Sequence, residues 1–453
     1  MDRILQRSRK FRGRYKRVRS AAAIYYGETG DSRRLGRFAA AMARKALSHV
    51  SKSLRSRLEA MLAAGQIDAA LQNDGRPLIA ILVSGGIGDH VVIARFLRDL
   101  AAQTEEFRFD VFCPNPSVAD WVFWPLPQFN RSHNEFLFWR LHKKYALALQ
   151  INQFVILQEY TARWKELAPY NRLGRVLSTI MRSRGDIEVC VEHHPFLDNH
   201  LAQKAVFMNL RRENFLHGMA RIRYGGPAYP LACDLGVARK FGLPVRYITI
   251  NNGFDAGFVI TGRVATKCYP YTDELLLLLK ERYPDVAVVQ IGGSTSTPIA
   301  LADFNLVERT TLKEVAGVLS GAMLHIDNEG GLVHIAACLG VRSAVIFGPT
   351  SLEYFAYPDN INLAPPVCGN CWWVNGTWMD LCPRGYGNPR CMHEHRPQAV
   401  VDAIAASWMP KAEDVEKATR SITVGEREVP VRKGAGTHAA QPAYAANGRA
   451  VVE

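Results

Sequence analysis

The chain has 453 residues, 48% of them hydrophobic, which is enough to bury two or three cores. No apolar run approaches the roughly 18 to 20 residues of a membrane-spanning helix. The formal net charge is +14, but residues 1–60 hold 17 Lys and Arg against four Asp and Glu, so the rest of the chain is nearly neutral. That distribution argues against a basic groove over the folded body, and so against nucleic acid as the main substrate.

The basic N-terminal extension, residues 1–75, opens MDRILQRSRKFRGRYKRVRS without an apolar h-region, and no secretory signal is expected. Nine cysteines at irregular spacing suit a reducing cytoplasm better than a disulfide scaffold. The arm fits attachment to an anionic membrane surface, such as the inner face of the plasma membrane, or contact with an acidic partner; a solvated extension is the plain alternative. Residues 35–64 have the spacing of a basic amphipathic helix with Ala40, Met42, Ala46 and Leu47 on its apolar side.

Regular patterning begins at Leu78, with a strand over 78–83, a turn over 84–89, a helix over 91–100 and a strand over 107–112. That βαβ order implies a parallel sheet. From 115 to 242 the pattern is weaker: 146–157 is strand-like, and helices are predicted near 172–182 and 201–212. A second α/β unit starts at 246–250. It has a helix over 272–283 with Thr272 as N-cap, strands at 286–291, 323–327 and 344–347, and helices at 311–319 and 332–339. The reading is two Rossmann-like domains, 76–242 and 243–409, facing across a cleft, followed by a tail over 410–453 of disordered composition. The loops at 84–89, 251–267, 292–297 and 327–331 are expected to converge at the carboxyl ends of the strands.

Ser84-Gly85-Gly86-Ile87-Gly88-Asp89 places a carboxylate in a first helical turn, where Asp89 could serve as a general base or simply cap the helix. The adjacent His90 reads as structural. Thr266-Lys267-Cys268-Tyr269-Pro270 puts Lys267 ahead of a helix, as a point charge for a diphosphate; alone, it would be read as a surface lysine. Asp327-Asn328-Glu329-Gly330-Gly331 leads into a helix whose unpaired N–H groups favour a diphosphate, an ordinary glycine turn being the alternative.

Together these three segments resemble the ADP-heptose:lipopolysaccharide heptosyltransferase family, glycosyltransferase family 9, which has the GT-B fold. Ser84 to Asp89 match the family's Ser-x-x-Gly-Asp, Lys267-Cys268-Tyr269-Pro270 its Lys-x-aromatic-Pro, and Glu329 to Leu339 its Asp-x-Gly-Leu-x-His segment, followed by Gly348-Pro349-Thr350. The resemblance implies Asp89 and Lys267 as catalytic residues, in an inverting transfer that needs no catalytic metal. It implies a donor site made by Gly88, Thr266, Lys267 and Asp327, with Glu329, Gly330, Gly331, Leu332 and His334. Two departures stand out. The acidic position is Glu329, with Asp327 two residues earlier, and Ile93-Ala94-Arg95-Phe96 replaces a family Thr-Pro or Leu-Pro. The nucleotide-sugar donor is expected to be ADP-heptose and the acceptor a glycan, lipid-linked group or protein hydroxyl. Transfer from another nucleotide sugar, and a non-catalytic nucleotide-binding scaffold, are the alternatives.

Within a Cys-rich loop over 368–391, Cys368, Cys371, Cys382 and Cys391 stand among Trp372, Trp373, Trp378 and Pro383. Four thiolates suit a tetrahedral Zn or Fe site, with His393 and His395 as spare ligands, and free thiols are the alternative. The segment resembles the cysteine loop of autotransporter heptosyltransferases, which implies iron. Arm and loop together could build a homo-oligomer.

Overall fold

The computed structural model describes residues 57–72, 75–158, 170–255 and 264–408. The readings of the arm upstream of residue 57 and of the tail from 410 lie outside the described residues. A helix over 57–72 falls at the end of the expected amphipathic segment. Its Ala63 and Ile67 join Leu78, Ala80, Phe112, Phe138 and Tyr145 in one apolar cluster. No helix among the described residues is long and apolar enough to cross a membrane.

The first sheet is built from β1 (Leu78–Val83), β2 (Arg108–Cys113), β3 (Phe129–Asn134), β4 (Leu147–Ile151) and β5 (Val155–Leu157), in the order β3-β2-β1-β4-β5. Every pairing is parallel except β4 with β5. The strands Leu78–Val83 and Leu147–Ile151 are apolar on both faces, as helices on both sides of a parallel sheet require. The second sheet takes β6 (Tyr247–Ile250), β7 (Ala287–Gln290), β8 (Phe304–Asn305), β9 (His325–Asn328), β10 (Ser343–Ile346) and β11 (Ile361–Leu363). Its order, β11-β10-β9-β6-β7-β8, is wholly parallel. Each sheet reverses its strand order once, between β1 and β4 and between β6 and β9. Ligands of open α/β sheets bind at such switch points. Two Rossmann-like sheets with their switch points turned toward each other form a GT-B fold.

The sequence pattern located most strands to within two residues and missed β3, β8 and β11, which are short or polar. Two readings need correction. The expected single strand over 146–157 is a β-turn-β unit, because the Asn152 N–H turns back to the Phe154 carbonyl at 3.0 Å and reverses the chain. The N-cap of the Thr272–Arg282 helix is Tyr271, and Thr272 is its first residue. By contrast, Thr311 caps Leu312–Ser320 through a reciprocal box with Glu314.

The halves touch along the Ile87–Gln103 and Gly331–Cys338 helices. A side chain on Gly331 would collide with Ile87. A Cβ on Gly88 would lie 2.6 Å from His334 Cδ2 and 3.4 Å from the Gly331 Cα. Only paired glycines allow these two helix starts to approach so closely. Behind them Arg95, fully buried, donates to the Tyr357 hydroxyl at 2.6 Å, to the His334 carbonyl at 3.1 Å and to Cys338 Sγ at 3.1 Å. The residue that departs from the family pattern on the first half is therefore bolted into the second.

Candidate active site

The first switch point is organised by Asp89. The Gly86 N–H donates to its Oδ2 at 3.0 Å, which closes the start of the helix. Its carboxylate also fills the position where a side chain on Gly85 would lie, and Gly85 adopts φ +111, open to glycine at little cost. Arg212 Nη2 donates to the other oxygen at 2.7 Å. Arg212 is only 1% exposed, and the same nitrogen donates to the Asn152 carbonyl at 3.2 Å. Burial is the largest single influence and disfavours the Arg212 charge, but the Asp89 carboxylate, Tyr354 and Tyr357 together hold its pKa above the ordinary arginine value. The site thus fixes one carboxylate in orientation from two sides while leaving it part-exposed. His90, read as structural, is buried and bonds the Gly86 carbonyl through Nδ1 at 2.9 Å.

The second switch point brings Lys267 to the paired glycines. Lys267 Nζ donates to the Glu329 carbonyl at 2.9 Å, lies 3.9 Å from its carboxylate, and is 4.0 Å from where a Cβ on Gly330 would be. Burial pushes the Glu329 carboxyl above its ordinary range, against the pull of Lys267, and Asp89 adds to the rise. With the Gly88 and Gly331 helix starts in close approach, the two switch points lie within reach of one another's charges. Gly331 to Cys338 form the helix beyond, so its first N–H groups point toward this junction.

The remaining residues expected at the donor site occupy distinct places. His334 sits on the first turn of that helix, against Gly88. Burial, with Arg95 and Arg212 nearby, lowers its pKa to about 3, so the ring is neutral. The Tyr357 hydroxyl accepts from Arg95 and pairs with His334 Nδ1 at 2.6 Å; assigning its one hydrogen to that nitrogen puts the imidazole proton on Nε2. Leu332 is half-buried and packs on the main core. Asp327 lies beneath the site, 3% exposed, and accepts from Asn251 Nδ2 at 2.9 Å and the Asn328 N–H at 2.8 Å, with His325 at 3.2 Å. Thr266 is buried and faces the Cys-rich loop: its N–H donates to the Met379 carbonyl and its hydroxyl to the Trp378 carbonyl, both at 2.7 Å.

The expected loops do meet. Asn251 accepts from Ser296 at 3.1 Å, Asn252 donates to the Thr297 carbonyl at 2.9 Å, and Asp255 Oδ2 lies 3.3 Å from where a Cβ on Gly86 would sit. Residues 256–263 of that loop are outside the described ones.

Cys368, Cys371 and Cys382 are half-buried and Cys391 is buried, all as free thiols. Burial raises the Cys391 thiol to about 12, and the other three sulfurs push it further in the same direction. Burial likewise raises Cys371 to about 11, with Cys382 and Cys368 adding to it. Cys371 and Cys391 therefore stand near enough to the other sulfurs of the loop to feel their charge. Yet among the described residues no three His, Cys, Asp or Glu are arranged to hold one ion. The donor chemistry fits a metal and the arrangement of the thiols does not. Trp372 and Trp378 are buried in the adjoining core with Tyr354, as packing rather than as a sugar platform.

Sequence reasoning missed Arg212 and Tyr357, and met Arg95 only as part of a departure from the family pattern, without its role. No local signal marks them: Arg211 and Arg212 are adjacent in sequence, and only tertiary packing buries the second.

Residues 284–364 match the family model described as glycosyltransferase family 9 (heptosyltransferase). That stretch spans β7 to β11, so the second sheet carries the family 9 likeness. No curated protein matches it by sequence. Among solved structures, this glycosyltransferase resembles E. coli ADP-heptose lps heptosyltransferase II at 16% identity, over 72% of this chain and 98% of that one, with TM-score 0.44. It resembles the dodecameric iron-containing heptosyltransferase TibC, solved with ADP-D-beta-D-heptose, at 13% identity over 74% and 76% with TM-score 0.47; TibC comes from enterotoxigenic E. coli H10407. It also resembles E. coli heptosyltransferase WaaC with ADP, at 15% identity over 76% and 99% with TM-score 0.38.

Proposed function

We propose that this glycosyltransferase moves heptose from ADP-heptose, with inversion, to a hydroxyl of a cell-envelope glycan or protein. The observation that carries the reading is the meeting of Asp89, braced by Arg212, with Lys267 and the Gly330-Gly331 helix start. A carboxylate on one half and a cation with free N–H groups on the other are what a displacement at a sugar carbon requires. Asp89 takes the proton of the acceptor hydroxyl, whose oxygen attacks the anomeric carbon from the face opposite the diphosphate. The bond from that carbon to the diphosphate oxygen breaks, and its electron pair leaves with ADP. Lys267 and the N–H groups at the Gly331 helix start stabilise the charge that develops there. Lys267 would exchange its contact with the Glu329 carbonyl for one with the diphosphate. Neutral His334, held by Tyr357, offers an N–H at the same seam without adding charge.

Incubation of the protein with ADP-heptose and a cell-envelope fraction, followed by mass analysis, is the direct test. A product heavier by one heptose supports the reading, and the absence of any such product with active donor overturns it. Nothing in the site names the base or the sugar ring, so thermal shift with ADP, UDP and GDP tests the donor. A shift with UDP or GDP alone would favour another nucleotide sugar. A shift with none would favour a non-catalytic scaffold.

The four sulfurs of the Cys-rich loop would serve a structural iron or zinc by their donor chemistry, but only if the loop closes around the ion, since no three of them stand around one point among the described residues; metal analysis of the purified protein tests this. The basic arm would hold the enzyme on an anionic cytoplasmic membrane face. The structural units proposed are residues 76–242 for the acceptor and 243–409 for the donor. Self-association through the arm or the loop would parallel the dodecamer of TibC.

A further inference from the structure

Beside Asp89 lies a second ionisable pair that the proposed transfer does not use. His194 Nδ1 bonds Asp198 Oδ1 at 2.8 Å. Asp198 is almost wholly buried, with a side chain 4% exposed, whereas His194 remains 29% exposed. The other ring nitrogen, Nε2, faces Asn152 Nδ2 at 3.2 Å, and that amide also donates to Ser84 Oγ at 3.1 Å. An amide nitrogen only donates, so Nε2 presents its lone pair and the ring hydrogen sits on Nδ1, given to Asp198. Phe154 meets the ring at right angles, 5.4 Å between centres, and limits its rotation.

Three features set this pair apart from a helix-start ornament. It stands over the carboxyl ends of β1 and β4, at the first switch point, where Ser84 and Asn152 directly follow those strands. It is linked to the proposed base: the Asn152 carbonyl accepts from the Arg212 nitrogen that holds Asp89. Asp198 also feels the charges of Asp89 and Arg212 directly. Finally, its acceptor atom is met by one long, shared hydrogen bond, which an incoming hydroxyl can replace at little cost.

We propose that the His194–Asp198 pair, with Ser84 and Asn152, is a hydroxyl-binding subsite for a polyhydroxylated acceptor, in which His194 Nε2 accepts a hydrogen bond from a sugar hydroxyl. Asp198 fixes the ring orientation and keeps the lone pair outward. The subsite rests on the transferase reading only for the fate of the bound acceptor, since its ligand is that acceptor and not the nucleotide.

The experiment uses the full chain and glycan released from a cell-envelope fraction by mild acid. Binding is read by saturation-transfer NMR, ADP binding by calorimetry, and transfer from ADP-heptose by mass. His194→Ala should weaken glycan binding at least tenfold and raise the acceptor KM by a similar factor, with kcat and ADP affinity near wild type. His194→Gln, which keeps an acceptor atom, should recover part of the loss. Glycan binding by His194→Ala equal to wild type overturns the proposal. So does a loss of ADP affinity and thermal midpoint in parallel with glycan binding, since that marks a structural pin, and so does failure of the wild type to bind the glycan. A wild type that binds glycan through His194 but turns over no ADP-heptose leaves the subsite standing and sinks the donor reading.

Discussion

The two switch points solve the same problem, holding groups over strand ends, by different means. At the second, Lys267 lies beside the Glu329 carbonyl and the Gly330 backbone, and the helix beginning at Gly331 supplies N–H groups. One short stretch of chain and one lysine make it. At the first, Asp89 is held by Arg212, which comes from 123 residues further along, and Asn152 and His194 join from two further segments. Under the proposed transfer, the diphosphate would be met by backbone and one lysine, whereas the acceptor would be met by side chains gathered from afar.

The sharpest way to break this contrast is Asp89→Ala, expected to cut transfer by about 10²- to 10⁴-fold while ADP binding measured by calorimetry stays unchanged. A loss of ADP affinity in that variant would merge the two halves of the site. Lys267→Ala should cost about 10²- to 10³-fold in turnover and also weaken ADP binding, because its charge acts on the diphosphate before and during bond breakage. Arg212→Met tests whether the first switch point depends on its distant brace. A misoriented Asp89 predicts about a 100-fold fall in kcat with the ADP affinity intact.

The smallest expected effect concerns stability on the first half. Asp99 is buried, which by itself would raise its pKa, but bonds from His217, Arg98 and the Gly225 N–H lower it from 3.8 to about 2. The folded value lies below the unfolded one, so this contribution is complete above about pH 4. It is lost as the pH falls from about 4 toward about 2, and amounts to about 2 kcal/mol. In Asp99→Asn that part of the acid dependence of thermal unfolding should flatten, whatever the cost at neutral pH.

Legibility in the sequence follows the same contrast. Apolar strands such as Leu78–Val83 and glycine turns such as Gly85-Gly86 declare themselves locally, so the sheets and the positions of Asp89, Lys267 and Gly330 were readable. The short polar strands Phe129–Asn134 and Phe304–Asn305 were not, because neighbours rather than propensity hold them in the sheet. Thr266 and Asp327 stood in the right segments, yet folding turned the first toward the Cys-rich loop and placed the second under the site. Arg212 and His194 were invisible because nothing near them in sequence states which arginine will be enclosed or which histidine will meet a carboxylate.

The attachment of Thr266 to the Trp378 and Met379 carbonyls carries a chemical liability. The residue next to Lys267 hangs from a segment flanked by Cys371 and Cys382, so any modification of those sulfurs that swells the segment would be felt at the lysine from a distance. Inactivation by a thiol reagent should then track loss of nucleotide affinity, making the sulfur cluster a remote fuse for the donor half.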